Sequence, residues 1–296
     1  MASRTRTVWA DLGLFYAAVV WGYSFIVVRD ALAEIDAVMM VAVRFLIAGS
    51  CLLVFLVATG RPVWRGWGRA LFLSVILWLL YIPQTIGLRY TTASNSGFIT
   101  GLFVFFIPLF MRLVFRRKPN LMEWLASGVA LAGLYLLTGG LSDINLGDSL
   151  TLIAAMTYAL HVLYSDKYMK TGVDPFVISC QQFLLVGLFS LVTVLLTGAE
   201  WHVTSGFAWR SVIFLALFPT LSAFVIQMVA QRFTSPLRVS LIFAFEPVFA
   251  ALFAWTLGGE QPVLHRALGG LLVFAALVIS GLPAPGRARK NAPKVP

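Results

Sequence analysis

Residues 87–110 read GLRYTTASNSGFITGLFVFFIPLF, and this stretch decides the fold. An apolar helix ends, a short polar turn follows, and a second apolar helix begins. Small and polar residues (Thr91, Thr92, Ser94, Asn95, Ser96, Gly97, Thr100, Gly101) sit at the head of a span that otherwise reads as lipid-soluble wall. A looser copy begins at Gln231: QRFTSPLRVSLIFAFEPVF. Both copies open on an aromatic and two hydroxyl residues, Tyr90-Thr91-Thr92 and Phe233-Thr234-Ser235, and both reach a Pro–aliphatic–Phe step at Pro108 or Pro247. The first copy is about four residues longer between these landmarks, roughly one helical turn. The echo implies an internal duplication.

Working outward, 60% of the residues are hydrophobic and only 11% are charged, far from soluble-domain composition. With a mean hydropathy of +0.90, the apolar residues need lipid as their solvent. A membrane-crossing helix takes about 20 mainly apolar residues. Ten such stretches can be marked, at about 10–28, 37–58, 70–90, 95–115, 121–139, 148–165, 175–197, 210–230, 237–258 and 265–282. The first follows Arg4 and Arg6 as a signal peptide would, but no small-residue cleavage site precedes Arg29-Asp30, so it reads as a retained helix. Cys51 and Cys180 read as small buried thiols, with no spacing for a disulfide or a metal.

Arg and Lys fall mainly on alternate loops: the N-terminus, Arg61/Arg65/Arg69, Arg112/Arg116/Arg117/Lys118, Lys167/Lys170, Arg232/Arg238 and the tail after residue 283. The opposite loops hold most of the acids. The positive-inside rule then puts both termini in the cytosol of a bacterial inner membrane. The net charge of +10 is accounted for by anionic lipid, with no need of nucleic acid.

The halves align at four places in the same order. WGYSFIVVRDAL meets YALHVLYSDKYM, pairing Trp21 with Tyr158 and Ser24 with His161. VRFLIAG (43–49) meets QQFLLVG (181–187), and Gly128/Ala132/Gly133 meets Gly270/Phe274/Ala275. Five spans per half is odd, so the second half enters the membrane from the other side. The expected architecture is an all-α integral membrane protein, ten spans in two inverted five-helix repeats (1–143 and 144–282) around a central cavity, with a basic tail at 283–296.

The WGYSF start, the LRYTTAS turn, Phe245-Glu246-Pro247 and the GGEQP…LGG approach to the last span resemble the EamA-type carriers of the drug/metabolite transporter superfamily. The resemblance covers nearly the whole chain. TTASNSGFITG and the aromatic-rich first half are most similar to the YddG-type amino-acid exporters. The first half departs from the pattern at Arg116–Asn120, where the second half has the acid Glu260. The resemblance implies a secondary exporter of amino acids or related metabolites, with drugs or nucleobase-type metabolites as the alternative substrates.

Read from the residues, Arg44 and Glu246 are ionisable groups deep in spans, where such groups face a cavity or each other. They fit a fixed ion pair between the halves, and Glu246 also fits a proton-coupling carboxylate. His161, mid-span, needs water or a partner, and reads as cavity lining or a proton relay. Trp21, Ser24, Tyr81, Gln84, Asn95, Phe98, Tyr158, Gln182 and Gln227 complete a polar and aromatic wall for a small solute. Pro83, Pro108, Pro219 and Pro247 are candidate hinges, since a span proline frees a backbone carbonyl. No His, Cys or acid cluster has metal-ligand spacing, no cofactor motif is present, and no Walker loop supplies ATP. An intramembrane enzyme, the reading from another class, would need HExxH, GxSxG or facing aspartates, and the sequence has none of them. One polypeptide can enclose the site, so a monomer suffices, with a dimer left open.

Overall fold

A computed structural model describes residues 2–91, 93–138, 145–199, 203, 205–256, 264–280 and 282. All regular structure among these residues is helical: α1 (Ala2–Ala31), α2 (Ala37–Ala58), α3 (Trp67–Gly87), α4 (Ala93–Gly101), α5 (Phe103–Leu113), α6 (Leu121–Thr138), α7 (Leu146–Met169), α8 (Pro175–Thr197), α9 (Gly206–Leu215), a π-helical segment (Ala216–Ser222), α10 (Ala223–Ala230), α11 (Pro236–Phe243), α12 (Glu246–Thr256) and α13 (Leu264–Ser280). Eight helical stretches are long and apolar enough to cross a membrane. Two shorter apolar stretches, Leu121–Leu136 and Ala267–Ser280, stand where the fifth and tenth spans were expected. Residues 139–144, the 257–263 stretch with Glu260 and the 283–296 tail lie outside the described residues.

Polar residues set the helix starts, as orphan N–H groups require. Asp36 accepts from Val38 and Met39, Asp174 from Phe176 and Val177 with Pro175 as the first helical residue, and Ser205 from Ala208. Asn145 and Asp148 form a reciprocal capping box on α7, and Asn120 with Glu123 form another on α6.

Two expected spans are each divided. The span at about 95–115 breaks at Leu102, where a tight turn (Leu102 N–H to Ile99 carbonyl, 3.1 Å) separates α4 from α5. Pro108, the expected hinge, lies inside the continuous α5. Beside the break the chain packs closely on α6: a Cβ on Gly101 would come within 2.6 Å of the Leu134 side chain. The span at about 237–258 breaks between α11 and α12, just before Pro247. Near the head of α12 Pro247 costs little, because the first N–H groups of a helix have no intrahelical acceptor.

The most extensive packing joins α2 to α8, α3 to α7 and α6 to α13. At the α2–α8 seam a Cβ on Gly49 would meet Leu184, and one on Gly187 would meet Leu46. Lipid tails are as apolar as leucine, so helices in a membrane gain by close packing, and glycine permits it. Gly22 lets α1 reach α12: an added Cβ would stand 2.6 Å from the Glu246 carbonyl.

Side-chain ties close both ends of the bundle. At the basic end Arg238 grips Asp11 with three contacts of 2.7–3.1 Å, Arg61 pairs with Asp174 at 3.1 Å, and Lys170 with Asp166 at 2.5 Å. At the opposite end Arg89 pairs with Asp36 at 3.0 Å, Thr91 donates to Asp148 at 2.5 Å, and Ser205 bonds Glu34. Large apolar side chains such as Val54, Val192 and Leu196 point outward, Leu196 being 82% exposed. Water would penalise such a surface and lipid does not.

Candidate substrate site

A proline shapes one wall of a buried cavity. Pro219 has no N–H and its ring crowds the preceding turn, and the chain answers with the π-helical segment. Two groups are thereby turned inward. The Pro219 carbonyl accepts from the Trp21 indole N–H at 2.8 Å, and Thr220 Oγ1, which donates to the Leu215 carbonyl at 2.8 Å, accepts from Arg44 Nε at 2.9 Å. Pi-turns recur at functional sites because they redirect groups in this way.

Trp21, Ser24, Arg44, Tyr81, Gln84, Tyr158 and Glu246 line this cavity of about 50 Å³, together with Thr85, Thr100 and Phe224. It occupies the half of the bundle nearer the opposite end, reached by the second half of α1, the first half of α2 and the last turns of α3. The Arg44 guanidinium lies 4.9 Å from the Tyr81 ring centroid and 5.7 Å from that of Phe45. The expected fixed pair between Arg44 and Glu246 is not among the ion pairs of the described residues; Thr220 and the two rings hold Arg44 instead. Two buried ionisable side chains, one basic and one acidic, therefore share one cavity without an ion pair between them. Gln84 donates to Thr100 at 2.9 Å, tying α3 to the divided span, while Ser24 donates back to the Trp21 carbonyl.

The remaining candidates fall elsewhere. His161 and Gln182 are buried outside the cavity and bonded to each other, Nε2 to Oε1 at 2.8 Å. Since the Gln182 amide nitrogen donates to the Ile178 carbonyl, its oxygen accepts, which makes His161 Nε2 the donor and leaves Nδ1 as a lone acceptor. Among the described residues that Nδ1 has no protein partner, nor have the Tyr158 hydroxyl and both amide atoms of Gln227, which is also buried outside the cavity. Phe98 is buried against Tyr135, and the side chain of Asn95 lies outside the described residues.

Phe224 and Thr220 escaped the sequence reading, for nothing in an apolar run distinguishes an inward phenylalanine from an outward one. Phe224 touches Trp21 (5.2 Å) and Tyr81 (6.0 Å) on the cavity side, and His161 (6.0 Å) and Phe183 (6.2 Å) beyond it. Phe243, 4.7 Å from Trp21, packs against that ring outside the cavity lining. No group of three or more His, Cys, Asp or Glu suited to a metal ion occurs among the described residues. Cys51 is exposed rather than buried, and opens on a separate, apolar groove at the lipid-facing surface.

Membrane-length helices closed around a buried cavity that is both charged and aromatic define a multi-pass membrane protein that handles a small solute. The chain belongs to the EamA-like transporter family, whose model matches it twice, over residues 8–139 and 145–282, and so to the drug/metabolite transporter superfamily. It is 30% identical to an uncharacterized transporter of Archaeoglobus fulgidus, over 95% of this chain and 88% of the relative. It is 29% identical to the uncharacterized inner membrane transporter YedA of Escherichia coli, over 90% and 89%. A probable amino-acid metabolite efflux pump of Salmonella typhimurium is 24% identical over 88% of this chain and 91% of its own. A crystal structure sharing 18% identity superposes with a TM-score of 0.78, over 92% of this chain and 96% of the other, and so has the same fold.

Proposed function

We propose that the protein is a secondary exporter of amino acids or closely related small metabolites across the bacterial cytoplasmic membrane, with both termini in the cytosol. The observation that carries the substrate class is the pair Arg44 and Glu246, which line one cavity with no ion pair between them, Arg44 being held by Thr220. A zwitterion brings a carboxylate for the guanidinium and an ammonium for the carboxylate. Trp21, Tyr81, Tyr158 and Phe224 offer flat faces to its side chain. The name of the Salmonella relative agrees with this reading.

The mechanism we propose is alternating access between two inverted five-span halves, residues 1–143 and 144–282. Three features support it. The cavity of about 50 Å³ holds a few waters and no amino acid, so binding requires the surrounding helices to part. The Gly49/Leu184 and Gly187/Leu46 contacts are reciprocal, and each half contains one divided span. Beyond Phe224, His161 and Gln227 have buried polar atoms without protein partners among the described residues, a costly arrangement that ends if that side opens to water.

A proteoliposome counterflow panel tests the proposal. Trans-loaded amino acids should accelerate uptake of labelled amino acid, and an imposed pH gradient should reveal any proton coupling through Glu246. Acceleration by nucleobases and by no amino acid would transfer the assignment to the alternative substrate class. Flux without trans-acceleration would replace the carrier by a channel.

A further inference from the structure

A hollow of about 710 Å³ is an apolar groove on the outer wall between α1, α2, α8 and α10. We propose that it is a binding site for one anionic phospholipid, with acyl chains in the groove and the headgroup phosphate at the basic end. The inference is independent of the substrate and of the transport cycle.

The groove's base is built of small residues: Ala10, Gly13, Cys51 and Ala230. Gly13 brings α1 against α10, where an added Cβ would lie 2.7 Å from Ile226. Aromatic side chains, Trp9, Phe55, Phe176 and Phe233, form its flanks. A trench of this depth in a lipid-facing wall is filled by something flexible and apolar, which acyl chains are.

The rim supplies the sign of the headgroup. Arg6 lines the groove and is exposed. The Arg61 guanidinium lies over two flanking rings, 4.8 Å from the Phe176 centroid and 5.7 Å from that of Phe55. Arg232, beside Phe233, donates to the Val173 carbonyl. Against these three cations stands Asp174, already paired with Arg61. The rim thus retains positive charge at the basic end of the groove, and each arginine near a membrane surface favours an anionic one about fivefold.

The test reconstitutes the full chain with phospholipids carrying a photoactivatable diazirine in the acyl chain, as phosphatidylglycerol or as phosphatidylcholine. Adducts are mapped by peptide mass spectrometry. Phosphatidylglycerol should label α1 and α10 about fivefold or more above phosphatidylcholine, whereas the exposed Leu195–Leu196 face should take both alike. Arg6→Gln, and Arg6→Gln with Arg61→Gln, should abolish the headgroup preference. Cys51→Phe, filling the groove from an exposed position, should lower labelling by both lipids there and leave the Leu195–Leu196 face unchanged, which also shows that the variant is folded. Equal labelling by the two lipids, or preference surviving the arginine changes, overturns the proposal. Protein–protein adducts through the groove overturn it too, in favour of a second copy of the chain.

Discussion

In the proposed exporter, recognition turns on two residues, Arg44 and Glu246. Each is buried and held apart from the other, Arg44 by Thr220 and by the ring of Tyr81. Losing a charged hydrogen-bonding group at a buried site costs about 1.5–3 kcal/mol, which is about tenfold or more in affinity. Arg44→Gln and Glu246→Gln are each expected to raise the concentration needed for half-maximal amino-acid counterflow by that factor, as measured in proteoliposomes. A solute lacking the carboxylate should be insensitive to the Arg44 change. Much of this wall was legible in the sequence, because Trp21, Ser24, Arg44, Tyr81, Gln84, Tyr158 and Glu246 are polar or amphipathic residues in spans that have no other use for them. Phe224 was not. An aromatic side chain is as welcome in lipid as in a cavity floor, so only its neighbours reveal its place.

Among the elements, the π-helical segment around Pro219 sets function against stability. Its widened turn presents Thr220 to Arg44 and frees the Pro219 carbonyl for Trp21. Pro219→Ala allows a regular helix, relieving a cost of about 3 kcal/mol, while rotating those groups out of line. The melting temperature is expected to hold or rise as counterflow falls about tenfold; a variant that transports normally would strip the segment of its role. The α2–α8 seam makes a second prediction. Gly187→Leu should destabilise by about 1–3 kcal/mol through overpacking. Adding Leu46→Ala should recover part of that loss, a coupling that a double-mutant cycle in thermal unfolding measures. The sequence displayed the helices and the kinship of residues 43–49 with 181–187. It did not display the break at Leu102, since no proline stands there, and the nearer proline, Pro108, lies in a stretch that stays helical.

On the scale of the whole molecule, Asp11 and Asp148 hold opposite ends. Asp11 on α1 secures Arg238 in the first turn of α11, and Asp148 in the first turn of α7 secures Thr91 just ahead of α4. Each acid thus moors the entrance to a divided span. If the cavity is reached alternately from either side, releasing one mooring favours opening at that end. A cysteine placed at Ser24, in a background without Cys51 and Cys180, should lose reactivity toward an impermeant external maleimide in Asp11→Asn and gain it in Asp148→Asn. The same change in both variants would disconnect these ties from access.

The interlocked seam also bears on ancestry. Copies within a duplicated chain are ordinarily free to drift apart, yet here a dent in each is filled by a bump from the other. A bulkier residue at position 49 or 187 survives only with a smaller one across the seam, so neither copy can wander far alone. Such mutual restraint would hold two otherwise diverging halves to a common shape.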